Sequence, residues 1–270
     1  MDTAICTEDG HTYTAVEFSR LDPVQLERKR RQLICEECEF PAFFRKPSRS
    51  GRGACFGARP HGENCDQAAV DNDARVPGAG DDQDEAFNAG DRIVVELAFG
   101  GQDVEVHLDG DERGPRRPRG GRFVGEGGAR VAQMHRRLST LLRLLVTAPN
   151  FRYSNQIIAV ANQPEMPASD FFVHLSDVTD RYEGQFRGYW GQLTDAGEGS
   201  DGVLWLNSGG RSAASFLLPQ EFRQQVMQRF RLDEEEDFSG MYILVLGTLR
   251  VSRYGKKICD IEDSALITLR

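Results

Sequence analysis

Two segments, Cys35-Glu36-Glu37-Cys38 and Cys55-Phe56-Gly57-Ala58-Arg59-Pro60-His61-Gly62-Glu63-Asn64-Cys65, decide how the front of this 270-residue chain folds. They gather four of the six cysteines, and one of five histidines, into one window. A thiolate pair at Cys-x2-Cys spacing grips one face of a tetrahedral metal ion, and a second pair brought in by a hairpin closes the other. Zinc is the metal this pattern suits. Four ligands leave no open coordination position, so the site is expected to be structural rather than catalytic. The x3 spacing lets His61 and Cys65 share one turn, which favours Cys35, Cys38, His61 and Cys65. A set of Cys35, Cys38, Cys55 and Cys65 is the alternative. Cys6 and Cys259 stand apart and read as buried small residues.

Between the two knuckles, Phe40, Phe43, Phe44 and Phe56 are interleaved with Arg45, Lys46, Arg49 and Arg52. Two short strands around a Ser-Gly turn suit this composition and complete a zinc ribbon. So small a unit buries little core, and the metal is expected to supply much of its folding free energy. Upstream, Ile5 to Phe18 reads as a hairpin turning at Asp9-Gly10. Asp22-Pro23 reads as an N-cap and first helical residue. They open a helix Val24–Ile34 that carries the basic run Arg28-Lys29-Arg30-Arg31.

The rest of the chain divides by texture. Residues 67–90 are Asp-, Ala- and Gly-rich and read as a linker. Residues 91–180 form a linking α+β segment. It has a β-pair (Ile93–Leu97 and Val104–Leu108), a mobile Gly/Pro/Arg loop at 110–128, and an amphipathic helix at 130–147. From 181 to 270, short strands at 187–193, 202–206 and 213–218 precede a helix at 219–230. Further strands follow at 241–251, 256–260 and 265–269. That order is the one expected of an OB-fold barrel. The fold class is therefore mainly β, α+β overall: a zinc ribbon, a β-pair with an amphipathic helix, and an OB-fold-like barrel.

Once read in this way, Cys35-Glu36-Glu37-Cys38, Phe43-Phe44-Arg45-Lys46, Cys55-Phe56-Gly57-Ala58-Arg59-Pro60-His61 and Cys65 resemble the N-terminal zinc-finger region of competence CoiA-like proteins. The resemblance covers about residues 4–66, and Cys55-Phe56 stands where that family usually has His-Phe. Members often continue into a restriction-type nuclease domain, which needs carboxylates and a nearby lysine. This chain has no lysine between Lys46 and Lys256, so that activity is not expected to carry over. The resemblance implies an accessory protein working beside a nuclease or helicase in DNA uptake, restriction or phage defence.

Charge allows a local nucleic-acid footprint only. The chain carries a net charge of −9, yet residues 20–59 hold ten Arg/Lys against five Asp/Glu. Arg28, Lys29, Arg30, Arg45, Lys46, Arg49 and Arg52 could neutralise phosphates there. On the barrel, Tyr189, Trp190, Trp205 and Phe216 could stack bases while Arg187, Arg211, Arg250, Arg253, Lys256 and Lys257 follow the backbone. Neighbours on a strand alternate faces, so at least one of Tyr189 and Trp190 belongs to the core. The run Asp233–Asp237 would repel phosphate beside such a groove.

No phosphate-cradling loop with Lys-Ser/Thr, no Gly-x-Ser-x-Gly and no His-Glu-x-x-His occurs, and the remaining histidines are isolated. The expectation is a non-catalytic, cytoplasmic protein holding structural Zn²⁺, with no membrane partner. It would bind single-stranded DNA or RNA through Arg45, Lys46, Arg187, Tyr189, Trp205, Arg250, Arg253, Lys256 and Lys257. The alternative is a protein–protein adaptor whose barrel docks on a larger complex.

Overall fold

The computed structural model describes residues 1, 3–48, 53–62, 65, 67, 92–97, 133–210 and 212–270. The N-terminal unit comprises β1 (Thr3–Cys6), β2 (Thr12–Thr14), α1 (Ala15–Ser19), α2 (Pro23–Lys29), β3 (Leu33–Ile34), β4 (Pro41–Arg45) and β5 (Cys55–Ala58). Its strands form one antiparallel sheet in the order β2-β1-β3-β4-β5. Gly10 takes the left-handed φ of +68° that its turn requires.

The hairpin strand ends at Thr14, because that residue caps a helix. The Thr14 hydroxyl accepts from the Glu17 amide and the Glu17 carboxylate accepts from the Thr14 amide, a reciprocal capping box. Asp22 caps α2 as expected, accepting from the amides of Val24 and Gln25. The helix stops at Lys29 rather than at Ile34, since Leu33 and Ile34 are drawn between β1 and β4.

This unit has its own core. Phe18, Phe44 and Phe56 meet with ring centroids 4.9–5.4 Å apart, over buried Ala4, Leu26 and Leu33. The expected hairpin of β4 and β5 is present, but the bare ribbon is corrected to a five-stranded sheet. Folding of the front end therefore does not rest on the metal alone.

The middle unit comprises β6 (Arg92–Glu96), β7 (Gln133–Arg137), α3 (Leu138–Thr147), β8 (Ile157–Ala159), β9 (Met166–Pro167) and α4 (Ala168–Phe171). Its sheet runs β7-β6-β8-β9, with β6 parallel to both neighbours. The helix expected over 130–147 is confined to α3, whose Leu138, Leu141, Leu142 and Leu145 are buried. Residues 133–137 are strand instead, because full parallel pairing with β6 outweighs the short helical pattern. The expected strand 104–108, the loop 110–128 and nearly all of the linker lie outside the described residues.

The C-terminal unit comprises β10 (Phe172–His174), β11 (Phe186–Gln192), β12 (Asp195–Glu198), β13 (Leu204–Asn207), β14 (Ser215–Leu218), α5 (Gln220–Phe230), β15 (Tyr242–Val251), β16 (Lys257–Asp260) and β17 (Ile267–Leu269). The ladder runs β10-β11-β15-β16-β14-β13-β12, with β17 also on β15. The pairs β10/β11 and β14/β16 are parallel. The sheet is open, which corrects the expected closed barrel: among the described residues no ladder joins β12 to β10 or β11. β11 and β12 are nevertheless consecutive in the chain, separated only by Leu193 and Thr194.

β11 and β15 are covered on both faces. Tyr189 and Val245 enter one core with α5, and Trp190, Leu244 and Leu246 enter another with α3. Hence both aromatics of the Tyr189-Trp190 pair are core, at 0% and 6% exposed. Gly247 admits the Cys259 sulfur, which would lie 2.6 Å from a Cβ at that position. Cys6 and Cys259 are buried, as expected. Among the described residues no helix is long and apolar enough to cross a membrane.

Candidate metal centre and interdomain cleft

Cys35 closes β3 and Cys38 follows in the turn toward β4, while His61 and Cys65 follow β5. The sheet thus delivers the two ligand pairs from adjacent strand ends. The four ligand atoms lie within 4.8 Å of one another. Cys35 Sγ is 3.9 Å from Cys65 Sγ, and His61 Nδ1 is 3.6 Å from Cys38 Sγ and 3.2 Å from Cys65 Sγ. This donor set could hold a metal ion.

Backbone hydrogen bonds fix the turn that carries Cys35 and Cys38. The Cys35 amide donates to the Phe40 carbonyl and the Glu39 amide to the Cys35 carbonyl, with Glu39 at a left-handed φ of +58°. Gly62 packs where a Cβ would come within 3.0 Å of Cys38 Cβ. Cys55, the alternative ligand, sits opposite Arg45 in β5 and is outside the cluster.

The thiols are unlike one another. Burial raises the Cys38 thiol, but the amides of Gly62 and Phe40, with His61 and Cys35, outweigh it and bring it down to about 6. Burial pushes Cys65 up to about 12, reinforced by neighbouring Cys38, Glu37 and Cys35. A bound cation would supply the charge that lets the second thiol ionise.

The basic run is spent on pairs within the chain. Arg28 pairs with Glu8 at 2.6 Å and Lys29 with Asp9 at 2.6 Å. Lys29 and Tyr13 both donate to the Asp9 carboxylate and hold it well below the usual range. Arg30, 0% exposed, donates to the Phe44 carbonyl (3.0 Å) and crosses to Glu236 and Ser239 of the C-terminal unit. Arg31 binds Asp195 through two parallel hydrogen bonds of 2.9 and 3.0 Å.

Further contacts seal the same interface. Arg45 Nε donates to the Ser239 carbonyl at 2.8 Å, and the Tyr242 hydroxyl donates to the Arg59 carbonyl at 2.8 Å. The Phe43 ring lies against Gly240, whose φ is +80° and where a Cβ would fall 2.1 Å from the ring. Asp195 also accepts from Asn207 and Thr194, and Asn207 in turn accepts from Ser215. Burial raises the Asp195 carboxyl, but Arg31, aided by Arg30 and Asn207, holds it below the usual range.

Above this contact opens a cleft of about 880 Å³ between the two units. Glu27, Arg31 and Lys46 form its N-terminal wall; β12, Trp205, Asn207, Arg223, Lys256 and the turn 233–236 form the other. Lys46 pairs with Glu27, and Arg223 pairs with Glu198 and Glu235. Lys256 has no carboxylate partner within ion-pair distance among the described residues and donates to the Gly210 carbonyl at 3.4 Å. Burial, with Arg31 nearby, pushes its amine down to about 8.

Three of the nine residues expected to contact nucleic acid, Lys46, Trp205 and Lys256, therefore meet in one cleft. The others do not join them. Arg45 is taken up in the interdomain contact. Tyr189 is core and cannot stack a base. Arg250 is clamped to Asp260, and Lys257 pairs with Asp180. Arg187 donates to the Phe186 carbonyl beside a separate cavity of about 400 Å³. Arg253 is exposed, stacked 4.6 Å from the Tyr254 ring centroid in the β15–β16 turn. Phe216 is core, and Arg49, Arg52 and Arg211 lie outside the described residues.

Arg31 and Arg223 are cleft residues that sequence reasoning missed. The first stood in the basic run but was not singled out, and the second carried no signal at all. No protein-family model matches this chain, and neither a curated protein nor a solved structure is detectably similar to it.

Proposed function

We propose that this chain is a non-catalytic, zinc-containing accessory protein that binds single-stranded DNA or RNA in the interdomain cleft. The reading rests chiefly on one observation: Trp205, Lys46, Lys256, Arg223 and Arg31 converge on the β13 face. Strand order supports an OB-type assignment of that face. If β11 and β12 count as one bent first strand, then β13, β14, β15 and β16 are the second to fifth. The helix α5 lies between third and fourth, and the third and fifth run parallel. Folds of this kind present ligands to the second and third strands and to the turns flanking them.

Zn²⁺ suits the donor set of three thiolates and one imidazole. Two thiolates bound at ~2.3 Å subtend roughly 3.8 Å at tetrahedral geometry, and Cys35 and Cys65 stand 3.9 Å apart. His61 and the three thiolates would hold the ion, which supplies charge neutralisation and a cross-link. With the CoiA-like resemblance, this points to a cytoplasmic partner of a nuclease or helicase in DNA uptake, restriction or phage defence.

Binding is expected to be modest, because carboxylates already occupy most of the cleft's cations. Labelled oligothymidine titrated at low salt should give affinity that falls with added salt. Trp205→Ala should weaken it by about 5- to 100-fold, the worth of one stacked base. Lys256 carries its charge below its pKa of about 8. Affinity should therefore hold at pH 6–7 and fall as pH rises through 8, and Lys256→Gln should abolish that step. A pH-independent affinity in the unmodified protein would refute this role for Lys256.

The adaptor reading is favoured by a different observation. Seven acidic residues line the cleft against four basic ones. A protein that ignores oligonucleotides at low salt, yet retains a defined basic partner protein, would fit that alternative.

A further inference from the structure

The metal-bearing unit forms one whole wall of the cleft, and the groups that hold it there are few and identifiable. Arg31 makes the only bidentate ion pair across the interface among the described residues, to a buried Asp195 carboxylate that belongs to β12 itself. Arg30 and the Lys46 amide both reach Glu236, at the opposite lip. Arg31 therefore touches three things at once: the metal-bearing unit, the strand next to Trp205, and the space a ligand would enter.

At about 880 Å³ the cleft has the size of a small-ligand pocket. Trp205 lines its far side, and stacking on it requires a base whose face is free. A duplex offers its phosphates first and keeps its base faces covered.

We propose that Arg31, through Asp195, is a positioning residue that clasps the metal-bearing unit over the β13 face and so admits unpaired strands while excluding duplex. The proposal rests on the cleft being the nucleic-acid site. Exclusion by a wall is a property of the closed arrangement: a ligand needing the open form binds in proportion to how often that form is populated.

The test uses the full zinc-loaded chain and the double substitution Arg31→Gln/Asp195→Asn, which removes both charges and nearly conserves volume. Arg31→Gln alone would leave the buried Asp195 carboxylate uncompensated and could unfold the protein, whereas Asp195→Asn alone leaves a partly exposed Arg31 that still has Glu27 within 3.9 Å. Only two tryptophans are present, and Trp190 is core, so acrylamide quenching of tryptophan fluorescence reports on Trp205. In the double variant the quenching constant should rise by roughly two-fold as the wall loosens. The preference for a single-stranded over a double-stranded 12-mer should fall from about ten-fold to near parity.

Unchanged quenching overturns the clasp. Raised quenching with the strand preference intact overturns its role in selection. If the unmodified protein binds no oligonucleotide although quenching still rises in the variant, the nucleic-acid reading fails and the selectivity proposal falls with it, the first failure being visible in the unmodified protein alone. If the variant is unfolded by circular dichroism, Asp195→Asn alone, which retains the Asn207 and Thr194 contacts, is measured by the same two readouts and judged by the same outcomes.

Discussion

Serine at Cys35, Cys38 or Cys65 is expected to weaken metal binding by at least about 100-fold, beyond the loss usual for a supporting residue. Serine at Cys55 should leave it unchanged. The reason is positional: Cys55 is held in the β5 ladder opposite Arg45, whereas the other three sulfurs converge with His61 Nδ1. Metal content of the purified variants by mass spectrometry decides the matter, and a Cys55→Ser protein without metal would contradict the ligand set. The ligand variants should also lose thermal stability without losing the whole N-terminal sheet. Phe18, Phe44 and Phe56 pack together through contacts that need no metal. Hydrogen exchange should accordingly accelerate around residues 35–40, 59–62 and 65 while β1 and β4 stay protected.

The second large effect is expected at Arg30. Its guanidinium is fully buried, donates to Phe44, Ser239 and Glu236, and leaves its Nε without a partner among the described residues. Removing one member of such a pair strands the other in a poorly solvated site, at about 3–5 kcal/mol. Arg30→Met should therefore lower stability by that amount in urea unfolding. Arg30→Met/Glu236→Gln should recover a good part of it, since the lone carboxylate is then gone. Arg28→Met gives the contrast. Its pair with Glu8 is largely exposed, and such pairs contribute about 0–1 kcal/mol. Equal losses at Arg28 and Arg30 would mean that the interface is not where the basic run does its work.

That contrast also explains what could be read from the sequence. Three cations of the run Arg28 to Arg31, namely Arg28, Lys29 and Arg30, read as part of a phosphate-binding face. Nothing local reveals that the run's partners are Glu8 and Asp9 in the first hairpin and Glu236 and Asp195, 164–206 residues away. The clustering of Cys35, Cys38, His61 and Cys65 was legible because metal spacing is a local property, and these four come together while Cys55 stays in its ladder. Most C-terminal strands were legible from alternation. β12 was not, since Asp195-Ala196-Gly197-Glu198 has poor strand propensity and is recruited by β13. The helical period runs from 130 to 147, longer than α3, for the converse reason: residues 133–137 fit it, yet β6 offers them a parallel ladder. Alternation on a strand requires at least one of Tyr189 and Trp190 in the core and leaves Tyr189 available to a groove, but both are buried because this sheet is covered on both faces.

X-ray absorption at the zinc edge of the purified protein addresses the central claim most directly, that three thiolates and one imidazole fasten the front sheet. The account predicts one zinc per chain with three sulfur neighbours at ~2.3 Å and one nitrogen at ~2.0 Å. A protein without stoichiometric zinc, or a shell of four sulfurs, would contradict it.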